Sequence, residues 1–170
     1  NVSMENLKIC INNDLANNFG NLCQRVFSFI EKNCSGKLPK PSELANEDKD
    51  LLETLVKKLP ELIEDIDNQN LNDYIKKVVE FSFNANKYFN DLQPWALKKT
   101  DLIRMNTVLF TIVCQIKNIS ILLSPIIPIS SEKILNIMNL KENDRNLKSI
   151  NTNDVFNHDL EFKKISILFR

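Results

Sequence analysis

The stretch NDLQPWALKK, residues 90–99, holds the sole tryptophan of the 170-residue chain, Trp95, directly behind Pro94. Proline has a fixed φ and no N–H to donate, so the indole sits at a stiff corner between two helical patterns. A flat aromatic surface at such a corner is either core or a platform offered to a partner. Lys98 and Lys99 follow it within four residues. A second pair, Asn21 and Arg25 in GNLCQR, is spaced to share one helix face a single turn apart. Together they present an amide, both donor and acceptor, and a planar guanidinium fork, which suit the Watson–Crick edge of a nucleobase. The blander alternative, an arginine bonding a neighbouring acid and an asparagine facing water, fits the same spacing.

No catalytic set assembles around these residues. The single histidine, His158, lies in a polar loop without a convincing acid partner, and there is no glycine-rich phosphate loop. The carboxylates are scattered over helix faces as solvated surface. Cysteines stand at positions 10, 23, 34 and 114, with no C-x-x-C pair and no histidine nearby. That argues against a zinc site and against a disulfide framework, and for four reduced thiols. Twenty-two basic and 22 acidic residues give a net charge of zero. Bulk attraction therefore cannot be the main source of affinity for any nucleic acid. No uninterrupted run of 18 or more apolar residues and no basic segment leading an apolar one is present, so neither a membrane span nor a signal peptide is expected. The start at Asn1 without methionine reads as a piece of a longer chain.

The elements that must position the candidate residues read as helices, in a chain with only two glycines and so few tight hairpins. Leu15, Phe19, Leu22, Val26, Phe29 and Ile30 step by three and four, predicting a helix over 13–30, with Asp14 as its N-terminal signal and an earlier helix at 7–11 running into it. GKLPKPSE forms a loop. Leu51, Leu52, Leu55, Val56, Leu59, Leu62, Ile63 and Ile66 mark a second helix, which Pro60 should kink or break. Asn70 and Asn72 can cap a third, whose inner face is Leu71, Ile75, Val78, Val79, Ser82, Ala85, Tyr88 and Phe89. After the Pro94 corner, Asp101 caps a long apolar helix over 102–123, which should be central and most buried. SPIIPISSEK ends it, and Ser130 or Ser131 caps a short helix through Ile134, Leu135 and Met138. The region 141–157 reads as a polar loop, and LEFKKISILFR as an extended return across the bundle.

Four segments occur in a telling order: DLANNFGNLCQR at 14–25, NANKYFNDLQPW at 84–95, LSPIIPISSEKI at 123–134 and LFR at 168–170. The chain resembles, over nearly its whole length, the anticodon-binding domain of bacterial methionyl-tRNA synthetases. The match thins to helical pattern or polarity at 37–70 and 141–157. The resemblance implies an all-α bundle of the class I synthetase anticodon-binding type, with five to six helices and an extended C-terminal tail. It also implies one domain over 1–170, the bundle at about 1–140 and the loop and return at about 141–170. Carried over by position, Trp95 behind Pro94 would stack on the cytosine that opens the CAU anticodon, while Asn21 and Arg25 bond its edge. RNA bases in loops are read in this way, splayed onto aromatics and held by polar groups. Lys98, Lys99 and Arg104 are candidates for phosphate contact, but the resemblance does not carry them.

The family's ATP- and methionine-binding signatures are absent from these 170 residues, so neither catalytic nor metal-binding residues are expected here. The parent would join methionine to its tRNA with ATP and Mg²⁺, and the family's zinc-binding knuckle, where present, lies upstream. The implied partners are methionine tRNA and the catalytic domain of the same polypeptide, in the cytoplasm, with no membrane and no DNA. The chain by itself should therefore show no methionine-dependent ATP–pyrophosphate exchange, an assay that checks the expectation directly. Two other readings compete: the equivalent domain of a leucyl or valyl synthetase, and a helical protein-interaction domain that binds no RNA.

Overall fold

The computed structural model describes residue 13, residues 15–151 and residues 161–162. Among them six α-helices pack around one shared hydrophobic core, and no strand forms. The readings that involve Cys10, Asp14, His158, the helix at 7–11 and the LFR terminus fall outside the described residues.

The first predicted helix begins differently from expectation. Leu15–Phe19 form a wide π-turn, and the α-helix proper, α1, runs Gly20–Asn33. Polar contacts hold the wide turn in place. The Asn18 carbonyl accepts from Asn86 Nδ2 at 3.2 Å, and Asn18 Oδ1 accepts from Asn86 Nδ2 and from Ser82 Oγ, each at 2.6 Å. Such single wide turns recur at functional sites. Leu22, Cys23, Val26, Phe27 and Ile30 bury the inner face of α1. At its far end Ser35 and Gly36 adopt φ of 55° and 71°, and the Gly36 amide reaches back to the Ile30 carbonyl at 3.2 Å. A left-handed turn of this kind is where glycine meets no Cβ penalty.

Helix α2, Asn46–Asp67, runs through Pro60 without a break, so of the kink or break expected there the break does not occur. Pro60 lies on the exposed side, so water can serve the Val56 carbonyl that loses its partner, while Leu55, Leu59 and Leu62 hold the buried side on either side of it. Helix α3, Leu71–Leu92, buries the expected stripe from Ile75 to Phe89. Asn70 occupies its N-cap, but no side-chain capping bond forms there. Helix α4, Pro94–Thr100, follows after one residue.

Asp101 caps α5 as expected, its Oδ1 accepting from the Arg104 amide at 3.1 Å. Helix α5, Leu102–Leu123, is buried without interruption from Thr107 to Leu123 and packs against every other α-helix. Its mean hydropathy of 1.5 is high enough for a membrane span, yet 94% of that window is buried inside the protein. It is therefore placed as a core helix, whose lipid-like composition reflects protein neighbours on all sides. Helix α6, Pro128–Ile137, starts three residues earlier than a Ser130 cap would put it and four earlier than a Ser131 cap would. Pro128 at N1 is pre-set for a helix start, which draws Ser130 and Ser131 into the first turn.

The described part of the polar region is not a plain loop. Glu142–Asp144 and Leu147–Asn151 form two 3₁₀ turns, and the buried Lys117 ammonium of α5 donates to the Ser149 carbonyl at 2.6 Å. Burial pulls the Lys117 pKa down, against the attraction of Cys114 and Asp144. At Glu161–Phe162 the chain lies antiparallel to Lys37, with the Phe162 amide on the Gly36 carbonyl at 2.7 Å and its ring edge-on to Phe27 at 5.6 Å.

Candidate nucleic-acid interface

The corner between α3 and α4 is a single residue. The residue before a proline is kept out of the right-handed helical region, so α3 cannot run on into Pro94. Gln93 leaves it by entering the left-handed region (φ 47°, ψ 67°), an uncommon conformation for a residue with a Cβ. Its carbonyl takes up the first amides of α4, from Ala96 at 2.9 Å and Leu97 at 3.1 Å. Pro94 is buried at N1, so it shapes the turn, and Trp95 stands out from it.

Trp95 is neither core nor free surface. Its ring meets buried Phe89 edge to face at 5.6 Å and 70°, while 41% of the residue remains exposed. Arg25 arrives from α1, a stretch 70 residues earlier in the chain. Its guanidinium carbon lies 5.0 Å from the Phe89 ring centroid and 5.8 Å from that of Trp95. Both distances are within reach of cation–π attraction. Arg25 Nη2 also donates to Asn90 Oδ1 at 2.9 Å, an exposed bond. Asn21, exposed one turn before Arg25, donates from Nδ2 to the Asn17 carbonyl at 3.1 Å. Among the described residues its Oδ1 has no hydrogen-bond partner. The fold thus gathers Arg25, Trp95 and Phe89 from three helices, and places Asn21 one turn along the same edge of α1.

Sequence reasoning missed Phe89 and Asn90 as parts of this corner. Phe89 was legible only as an inner-face residue, and Asn90 carried no signal beyond its place in NANKYFNDLQPW. Of the lysines and arginine considered for phosphate contact, Lys98 and Lys99 are exposed on the last turn of α4, neither in an ion pair among the described residues. Arg104 is engaged elsewhere. Its Nη1 meets Asp48 Oδ2 at 2.6 Å, and its Nη2 meets Asp48 Oδ1 at 2.9 Å and Glu47 Oε1 at 3.1 Å. A guanidinium held this way by two carboxylates is not available to a phosphate.

Asp48 is fully buried and also accepts from the Ala45 amide at 2.8 Å and from the Tyr88 hydroxyl. Burial alone would raise its pKa; hydrogen bonds from Arg104, Tyr88 and Ala45 outweigh that and hold it below the ordinary carboxylate value. Burial, then the bond to Asp48, pushes the Tyr88 phenol up. The clamp matters to the corner because Tyr88, Phe89 and Asn90 are consecutive on α3. Successive helical residues point 100° apart, so one backbone segment serves the clamp, the floor beneath Trp95 and the bond to Arg25. Among the described residues no three His, Cys, Asp or Glu side chains gather as a metal site, and Cys23, Cys34 and Cys114 are free thiols.

Residues 38–170 match the family model described as the anticodon binding domain of methionyl tRNA ligase. The chain belongs to this family. The matched range contains Pro94 and Trp95, while Asn21 and Arg25 precede it. The methionine–tRNA ligase of Brucella suis biovar 1 is 37% identical over 139 residues, which is 82% of this chain and 27% of that protein. The one from Mycobacterium leprae is 38% identical over 150 residues, 85% of this chain and 28% of that protein. The solved structure of apo Mycobacterium tuberculosis methionyl-tRNA synthetase superposes with a TM-score of 0.89 at 30% identity, covering 99% of this chain and 34% of that one. The chain thus spans roughly a quarter to a third of the length of these three relatives. Membership in a methionyl-tRNA ligase family decides against the leucyl and valyl readings. The similarity extends through α1, so the helix that carries Asn21 and Arg25 belongs to the shared architecture.

Proposed function

We propose that this chain reads the anticodon loop of methionine tRNA as one domain of a larger ligase, whose catalytic part in the same polypeptide joins methionine to the tRNA using ATP and Mg²⁺. Trp95 stacks on the cytosine that opens the CAU anticodon, Asn21 and Arg25 bond its edge, and Pro94 holds the indole in place. The observation that carries this reading is the approach of the Arg25 guanidinium to within 5.8 Å of a Trp95 ring that stays 41% exposed. A stacked base would then have a cationic, multiply donating group at its rim, and cytosine offers acceptors on that edge. Asn21 adds an acceptor and an N–H one turn away. Neutral net charge agrees with readout through bases.

Trp95 is also the sole indole of the chain, so its fluorescence reports on the proposed site directly. Titration with an RNA stem-loop carrying CAU should quench it, and a stem-loop with another first base should bind more weakly. Stacking is typically worth about 1–3 kcal/mol per base, so Trp95→Ala should weaken binding to every anticodon by roughly five- to 150-fold. Arg25→Ala and Asn21→Ala should instead narrow the gap between cytosine and other first bases. Unchanged affinity per folded Trp95→Ala molecule would assign the indole to packing alone. No RNA binding by the starting protein would favour the protein-interaction reading.

A further inference from the structure

We propose that Asn90 is a positioning residue for Arg25, and that its neutrality is part of its function. This rests on the reading of Arg25 as a base-edge reader. Arg25 is exposed and long, with several rotatable bonds, so an unsupported guanidinium would sample many orientations above Phe89. Ring contact fixes its height, with Cζ 5.0 Å from the Phe89 centroid and 5.8 Å from that of Trp95, but a ring face is nearly indifferent to rotation of the fork. The directional contact the structure gives the fork is Nη2 to Asn90 Oδ1 at 2.9 Å. Asn90 stands on the last turns of α3, one residue after the buried Phe89, so the acceptor is mounted on a rigid element.

The partner is an amide, and no carboxylate among the described residues pairs with Arg25. The adjacent acid, Asp91, is held by Lys87 at 2.5 Å. An amide oxygen accepts one N–H and leaves the guanidinium its full charge and its other four donors. A carboxylate would orient the fork equally well, but it would cancel that charge and set a negative group beside incoming RNA. The arrangement aims Arg25 without neutralising it, which is what a reader of acceptor atoms on a base requires.

The test uses stem-loops carrying CAU or UAU and the variants Asn90→Ala, Asn90→Asp, Arg25→Ala and the Asn90→Ala/Arg25→Ala pair, with folding checked by circular dichroism. Loss of one ordinary hydrogen bond sets the scale, so Asn90→Ala should cut the preference for cytosine by up to about tenfold. It should cut it no further when Arg25 is already alanine, because the effect passes through that side chain. Asn90→Asp restores the acceptor and should recover the preference, while weakening binding to both stem-loops. The proposal is overturned if Asn90→Ala leaves the preference intact while Arg25→Ala lowers it, if the Asn90→Ala loss persists in the Arg25→Ala background, or if Asn90→Asp retains the alanine variant's loss. If Arg25→Ala itself leaves the preference unchanged, the edge-reading role fails first and the positioning role falls with it.

Discussion

Arg104→Leu is expected to destabilise the protein by about 3–5 kcal/mol at neutral pH, the usual scale for stranding one member of a buried ion pair. The size follows from its partner. Asp48 is fully buried, and Arg104 gives it two hydrogen bonds, at 2.6 and 2.9 Å. With the guanidinium gone, the Tyr88 hydroxyl and the Ala45 amide remain, but no countercharge does. Glu47 adds little, because it is exposed and surface pairs are weak.

The same pair has a signed pH dependence. The folded-state pKa of Asp48 lies below its unfolded value of roughly 3.9, so the pair's contribution is present above that value and is lost as pH falls through the folded pKa. Arg104→Leu removes the largest of the interactions that lower this pKa while burial remains, so the carboxyl's pKa is expected to rise. Protonation then relieves the stranded charge. The deficit of the variant should therefore be largest at neutral pH and shrink in acid, measured as the difference in urea midpoints at pH 7 and near pH 4. Asp48→Asn added to Arg104→Leu should recover part of the loss, since no charge is left to strand. A deficit independent of pH would mean that Arg104 acts through packing.

The second large effect is expected at Leu109, fully buried on the central helix α5. Leu109→Ala should cost about 2–5 kcal/mol, the transfer free energy of the deleted atoms plus the cavity they leave. For a chain of this size each kcal/mol lowers the melting temperature by roughly 2–4 °C. Ile103, six residues earlier on the same helix but 67% exposed, provides the contrast. Ile103→Ala should change stability by no more than about 0.5 kcal/mol, as is usual for surface substitutions away from special features. Equal losses at the two positions would contradict the burial of α5 against its neighbours. Neither substitution touches the Trp95 corner, so the cytosine preference per folded molecule should stay unchanged in both.

Periodicity and punctuation along the chain were enough to determine that it is helical, which helix is central, and where Asp101, Gly36 and Pro94 interrupt it. Those are short-range matters: apolar spacing, a cap three residues from the amide it accepts from, a proline that cannot continue a helix. The order of four segments likewise sufficed to place the chain in its family, and it put forward Asn21, Arg25 and Trp95 as the proposed readers. What one dimension could not decide was every outcome that depends on a neighbour distant in sequence. Pro60 leaves α2 unbroken because the packing of α2 turns its side of the helix to water. Arg104 looked like one more exposed cation until the tertiary structure brought the N-terminus of α2 against it, 56 residues away, and bound it to Asp48. Whether Trp95 is buried or open was not legible until α1 and α3 converged on it and left it 41% exposed beside Phe89. Phe89 then supplies the floor and Arg25 the rim, and the open remainder of the ring is set by how closely three helices can pack around a one-residue corner.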